Sequence, residues 1–339
     1  MLRNLKVENR HIIRFIVLSL WLSALGTVLS DQCSVLSAQD AALSQFYANP
    51  LFMNPAMAGV EGPVKVYLGY RNQWPAATDP YSTYSASYEQ FLDPIQGGVG
   101  LHIINDRQGG GIFNTMSMDA IYSYHLKVST NLTMTGGFQA SVGQRNMKPD
   151  GLVLPDELAG VAGVSLQGYS KVYPDFAVGI GSFFRNFYGG FAVHHLLEPY
   201  SSPSEDPNTK ISRKYTAHIG ALIPVYEKRL GMEVLQLSPN FVFQQQDIYQ
   251  HLNYGLEILY RSVIGGVWFR QDLLFSYGTL IFSAGYGNEQ FRIRYSYDAK
   301  LSAPDLHIPN MGAHEITLVI IFENLYKSTK PKAIKSPKI

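Results

Sequence analysis

Phe291-Arg292-Ile293-Arg294-Tyr295-Ser296-Tyr297-Asp298 is the stretch that decides the fold. Aromatic or branched apolar side chains hold the odd positions, and Arg, Arg, Ser and Asp hold the even ones. Successive Cβ atoms of a strand point to opposite sides, so a period of two gives this segment one greasy face and one polar face. The pattern recurs. Leu132, Met134, Phe138, Ala140 and Val142 alternate with Thr133, Thr135, Gln139 and Ser141. Met116, Met118, Ala120, Tyr122 and Tyr124 alternate with Thr115, Ser117, Asp119 and Ser123. Tyr254, Leu256, Ile258 and Tyr260 alternate with Gly255, Glu257 and Arg261. Such segments run for about 9–13 residues, against about 5–6 for an ordinary soluble strand. A tilted strand needs about 9–11 to cross a bilayer.

Working outward, strands are expected to start near residues 64, 81, 97, 113, 132, 173, 188, 214, 237, 253, 265, 276, 290 and 313. The fold class is therefore all-β: a transmembrane antiparallel β-barrel of about 14 strands, closed because lipid offers an open sheet edge no hydrogen-bond partner. Links at 105–112, 146–171, 197–212 and 299–312 are long or Gly/Pro-rich, and those at 91–96, 184–187, 261–264 and 286–289 are tight. Short turns belong to the periplasmic side, which predicts that both termini face the periplasm. The link 223–236 is the exception, long where a tight turn is expected.

Composition agrees. Charged residues make up 16%, below the roughly 25% of soluble domains, and aromatics 13%. A net charge of +1 gives no reason to expect a nucleic-acid partner. Arg3, Lys6, Arg10 and Arg14 precede the apolar run Ile16 to Leu29, 14 residues long, which reads as a signal peptide over 1–38. Cleavage after Ala38 leaves Gln39 first; cleavage after Ser30 is the alternative. The only cysteine, Cys33, lacks the small residue a lipid-anchor signal needs before it. With cleavage at Ala38 the mature chain has no thiol chemistry. The expected layout is signal peptide 1–38, an N-terminal periplasmic or plug segment 39–63, a barrel 64–323, and a basic periplasmic tail 324–339 carrying Lys327, Lys330, Lys332, Lys335 and Lys338.

The segment 44–59 reads Ser-Gln-Phe-Tyr-Ala-Asn-Pro-Leu-Phe-Met-Asn-Pro-Ala-Met-Ala-Gly. Two Asn-Pro pairs enforce turns, and the residue before each Pro is kept out of the helical region. It is expected to be turn-rich rather than helical, with Phe, Leu and Met side chains buried at the barrel's mouth or in its lumen. Gln45, Phe46, Tyr47, Pro50, Asn54, Pro55, Ala56 and Gly59 form its motif, and Arg71, Gln73 and Trp74 follow on the first strand and loop. Together with Gly98-Val99-Gly100-Leu101 and Asn105-Asp106, this pattern resembles the PorP/SprF family of Bacteroidetes outer-membrane proteins. The resemblance implies a barrel of the type IX secretion and gliding machinery. It also implies two partners, a secreted adhesin and a periplasmic peptidoglycan-binding component. A passive channel or small-solute transporter is the alternative.

Other motifs carry less. Asn105 to Gly111 is Gly-rich, but no helix follows to hold a phosphate, so it reads as an external loop. His194 and His195 are expected to point to opposite faces of a strand and so not to share a metal. Asp119, Glu257, Arg292, Arg294 and Asp298 fall on polar faces and are candidates for lumen charges, since Arg or Lys facing lipid costs about 2–4 kcal/mol at the midplane. No Gly-x-Ser-x-Gly occurs, and neither an enzyme nor a cofactor is expected.

Overall fold

The computed structural model describes residues 40–149, 167–204, 206–227, 233–273, 278–301 and 312–322. The expected signal peptide and the Lys-rich tail lie outside the described residues. Strands β1 (Val64–Gln73), β2 (Tyr81–Leu92), β3 (Gly97–Gln108), β4 (Phe113–Lys127) and β5 (Leu132–Met147) follow one another as a meander. They lead into β6 (Tyr169–Phe184), β7 (Phe187–His194), β8 (Lys214–Ala221), β9 (Ile223–Glu227) and β10 (Glu233–Gln246). The set ends with β11 (Tyr249–Tyr260), β12 (Val263–Gln271), β13 (Gly278–Gly287), β14 (Phe291–Lys300) and β15 (Ala313–Phe322). Every pairing is between antiparallel neighbours, and β1 closes on β15 from Val64↔Phe322 to Gln73↔Ala313. β8 and β9 occupy one position beside β10, so fifteen segments make a closed barrel of 14 strands.

Alternation sets the two faces. Met118, Phe138, Ile258 and Tyr295 are exposed on the outer face, while Asp119, Gln139, Glu257 and Arg294 are buried inside. Aromatic side chains ring the end that carries the tight turns. Phe184, Phe187, Tyr260, Tyr286, Phe291 and Phe322 stand outward there at or near their strands' ends. An amphipathic ring at that height suits the boundary between acyl chains and headgroups.

Three features of the wall and its loops depart from expectation. The link 223–236 is largely strand. β9 pairs with β10 from Leu237↔Ile223 to Glu233↔Glu227, across two register shifts. Among the described residues β9 pairs with β10 alone, because the β7–β8 ladder stops at Phe187↔Ala221 and the Leu222 N–H donates to the Asn186 carbonyl at 2.8 Å. Leu235 to Leu237 of β10, which pair with β9, also pair with Ile258 to Tyr260 of β11, so β9 lies level with the wall at the tight-turn end, and Pro224 on its edge removes one donor another chain would use. The Gly-rich loop is also shorter than expected. Asn105 to Gln108 belong to β3, and only Gly109 to Ile112 turn, the three glycines at positive φ. The third departure concerns His195 and is taken up below.

Candidate functional site

The lumen is filled by the segment before β1. Its turns come from the two Asn-Pro pairs. Asn54 is extended (φ −157°, ψ 119°), as a residue before Pro must be, and Pro50 and Pro55 each open a short helical turn where a missing N–H costs nothing. Three such turns result: 3₁₀ at Phe46–Ala48, a single α turn at Pro50–Met53, and 3₁₀ at Pro55–Met57. The expectation of a helix-free segment is corrected to that extent. The Asn54 side chain accepts from the Ala56 N–H at 2.9 Å and donates to the Ile180 carbonyl of β6 at 3.0 Å, tying turn to wall.

Apolar contacts seat the plug on opposite sides of the lumen. Tyr47 stacks on Trp268 of β12 with centroids 4.6 Å apart and planes at 15°, and Phe46 meets both rings edge-on at 5.3 Å. Leu51 and Ala58 pack with Ile121, while Met57 and Val60 pack with Phe183 and Tyr188. On one arc the backbone itself touches the wall. A Cβ on Gly137 would lie 2.2 Å from the Ala56 nitrogen, and one on Gly98 would lie 1.9 Å from the Ala58 oxygen. The wall is glycine there because the plug's main chain occupies the space of a side chain.

Inside a cylinder wrapped in lipid, the plug's backbone groups need partners, and wall side chains supply them. Glu315 of β15 accepts from the Ser44 N–H at 2.7 Å and from the Gln45 N–H at 3.0 Å. Glu89 accepts from the Gly59 N–H at 2.9 Å. Arg270 donates to the Leu43 carbonyl, Ser123 to the Ala56 carbonyl, and His125 meets the Ala58 carbonyl, each at 2.9 Å. The charges close among themselves. Arg71 bridges Asp298 (2.9 Å) and Glu315 (3.1 Å) and also bonds the Ser44 hydroxyl. Arg294 pairs with Glu257 at 3.2 Å and lies over the Tyr47 ring. Removing one member of such a buried set leaves an uncompensated charge.

The plug runs the length of the barrel. Asp40 meets Lys214, Gln246 and His195, which all lie where β7, β8 and β10 reach the long-loop end. Gly59 meets Glu89 beside Gly98, next to the tight turn between β2 and β3. Residue 40 and residue 322 therefore sit at opposite ends, and a layout with both termini on one face does not describe these residues.

Of the motif residues, Gln45, Phe46, Tyr47, Pro50, Asn54, Pro55 and Ala56 are buried in the lumen, and Gly59 turns at φ +69° where the plug leaves it. Arg71 reaches them. Gln73 touches Arg71 at 3.5 Å but not the plug, and Trp74 sits at the rim at φ +58°, packed on Tyr81. Asp119, Glu257, Arg294 and Asp298 are buried on the inner face, and Arg292 reaches Glu61 at 3.7 Å near the tight-turn mouth. Glu315, Glu89, Arg270, His125 and Lys214 were not singled out in the sequence. Each sits at an inward position of its strand, so parity was the signal that would have found them.

His195 overturns the expectation for the His pair. It follows β7 at φ +57°, which breaks the alternation, and both imidazoles line the same cavity. His195 Nδ1 lies 2.5 Å from Asp175, and its Nε2 lies 3.0 Å from Asp40. Burial opposes charge on His195, but Asp40 and the Asp175 hydrogen bond outweigh it and push its pKa up to about 9. Burial likewise opposes ionisation of Asp40, yet His195 and Lys214 hold its carboxyl well below the usual carboxylate range. Asp175 is on the wall and stays when the plug leaves, so only the Asp40 share of the rise favours docking; that share is fully present below pH 6.5 and lost as pH passes about 9. The Asp40 contribution is lost only as pH falls below its ordinary value of 3.8. Hydrogen exchange at Ala41–Leu43 is therefore expected to quicken, beyond its intrinsic pH dependence, between pH 6.5 and 9. His195→Gln should flatten that rise, and an unchanged profile would refute the latch.

No curated protein matches the chain. Among solved structures it is similar to a monoaromatic hydrocarbon channel, CymD, at 11% identity and a TM-score of 0.49, covering 82% of this chain and 94% of that one. It is similar to the P. putida toluene transporter TodX at 12% identity and a TM-score of 0.49, covering 80% and 93%. A Pseudomonas aeruginosa FadL homologue matches at 12% identity and a TM-score of 0.44, covering 80% and 93%. Residues 35–320 match the type IX secretion system membrane protein PorP/SprF family, and this outer-membrane β-barrel belongs to that family.

Proposed function

We propose that the barrel is a fixed outer-membrane platform of the type IX secretion and gliding machinery. In this reading it supports export or surface attachment of a large cell-surface adhesin and docks a periplasmic peptidoglycan-binding partner. One observation carries the reading: the lumen holds an ordered segment of the same chain, bonded to the wall around its circumference. A passive pore needs a continuous water path, and a plug fixed by buried hydrogen bonds and stacked rings counts against one. The long loops face outward to the adhesin. The tight turns, the β9–β10 hairpin and the basic tail face the periplasmic partner. The N-terminal end at Asp40 then lies toward the outer surface, while the chain after Phe322 leaves on the periplasmic side.

Deleting the gene is expected to abolish surface display of one large protein while leaving uptake of small solutes unchanged. Surface proteomics of the mutant checks this, and unaltered display would reject the reading. A pull-down of the tagged protein from outer membranes should enrich a protein with a peptidoglycan-binding domain.

A further inference from the structure

Among the described residues, three strand pairs are joined by loops of only two residues. They are Arg185-Asn186 between Phe184 and Phe187, Arg261-Ser262 between Tyr260 and Val263, and Asp247-Ile248 between Gln246 and Tyr249. In each, the first loop residue alone has positive φ: +53° at Arg185, +56° at Arg261 and +54° at Asp247. That is the type II′ pattern, whose first position favours glycine because a Cβ there crowds the following carbonyl. Aspartate visits this region more readily than most side chains; arginine has no such ease. Both arginines stand at the tight-turn end and the aspartate at the other. Two turns at one mouth thus forgo the residue their backbone prefers and carry the same cation instead.

Both turns hold that cation in the same way. The Arg185 guanidinium lies 5.4 Å from the Phe184 ring centroid, and the Arg261 guanidinium 5.4 Å from that of Tyr260. Phe184 and Tyr260 belong to the outward aromatic ring at that end, 47% and 48% exposed. An arginine laid on such a ring is kept at the depth where acyl chains give way to headgroups. Inside the lumen, arginines are answered by carboxylates: Arg71 by Asp298 and Glu315, Arg294 by Glu257. Arg185 and Arg261 are exposed and make no ion pair among the described residues. The Arg185 N–H donates to the Asn131 carbonyl at 3.2 Å, and the turn it meets, Val128 to Asn131, has no acidic residue. Ser262 accepts from the Gly287 N–H at 2.8 Å; the turn joined there carries Glu289, which forms no ion pair with Arg261. An unanswered guanidinium fork at headgroup depth matches a phosphate, whose oxygens accept two parallel N–H bonds. We propose that each of these two turns binds the phosphate of one membrane phospholipid, through Arg185 in one and Arg261 in the other. The sites concern the lipid around the barrel and not the exported protein, so their failure would leave the proposed function untouched.

The test uses the mature chain in a polyoxyethylene detergent, which carries no phosphate. Phosphatidylglycerol, or a diacylglycerol with the same acyl chains, is added, and native mass spectrometry counts the lipids retained. The parent barrel is expected to retain two phosphatidylglycerols and no diacylglycerol. Arg185→Gly and Arg261→Gly should each retain one. The double glycine variant should fall at least about tenfold in retention, the scale of one lost hydrogen bond to a charged group. Glycine suits both turns, so these barrels should keep the heat-dependent gel shift of a folded barrel. A double Arg185→Lys, Arg261→Lys variant keeps the charge but not the planar fork, and its retention should fall as well. Undiminished retention by either folded double variant would overturn the proposal, and so would equal retention of the diacylglycerol.

Discussion

Gly137→Ala and Gly98→Ala are each expected to unseat the plug, while Gly136→Ala leaves the barrel as it is. The added methyl carbon at Gly137 would stand 2.2 Å from the Ala56 nitrogen, and at Gly98 1.9 Å from the Ala58 oxygen. Both obstacles are backbone, so no rotamer relieves them. The plug must retreat by more than an ångström on that arc. Retreat strains or breaks the bonds from Ser123 to Ala56 and between His125 and Ala58, worth about 1 kcal/mol each. Overpacking adds about 1–3 kcal/mol. A total near 3 kcal/mol multiplies the plug-out population about a hundredfold. Limited proteolysis between residues 40 and 60 reads it directly. Gly136 is one position away, on the lipid face, with nothing within 4 Å of its would-be Cβ. Equal protease resistance in Gly137→Ala and Gly136→Ala would contradict the packing described here.

A mature chain beginning at Val60 is expected to conduct ions steadily across a planar bilayer, where the full mature chain conducts none. Without residues 40–59 the inner face loses Phe46, Tyr47, Leu51, Met53 and Met57, which now fill the cylinder. What remains facing inward is a mixed surface, with the charges Arg71, Asp298, Glu315, Arg270, Glu257 and Arg294 beside apolar patches at Trp268, Ile121 and Phe183. Those charges already pair across the seam and along the wall, so water entering among them meets a wettable surface. The wall's ladders do not involve the plug, and the truncated barrel should still show the heat-dependent gel shift. Trp268 offers a second readout. In a Trp74→Phe background it is the one tryptophan after residue 38, and loss of its Tyr47 stack should move its emission to the red. A folded truncated barrel that stays insulating would show that something other than residues 40–59 closes the lumen.

Much of this was written in the two-residue rhythm. Segments such as Phe291–Asp298 and Leu132–Val142 have faces so unlike that burial assigned itself, and strand starts at 64, 81, 97, 113, 132, 214 and 313 coincide with those observed. The rhythm failed where backbone geometry, not side-chain type, decides. Pro224 hides β9, because a proline argues against a strand and the run from Ile223 to Glu227 is only five residues long. His195 turns inward through a positive φ that no neighbour announces. The partners of the inward charges were equally hidden. Arg71 and Asp298 are 227 positions apart and meet only once the first and last strands join. The glycines at 98, 137 and 179 are visible as letters, but their purpose needs the register that sets them against Ala58, Ala56 and Asn54.

The Asp40-to-Gly59 thread also constrains the order of events during biogenesis. Its start lies at one mouth and its continuation into Val64 at the other, so a finished cylinder would have to be re-entered by a folded, proline-kinked rope. Assembly escapes that only if the rope is laid down first and the last hairpin wraps over it. Glu315 and Arg71, on the two staves that meet at the seam, both hold Ser44. The fastening of the cask and the gripping of its contents are thus one step, and a chain whose rope is missing or misplaced lacks part of the clasp that shuts it.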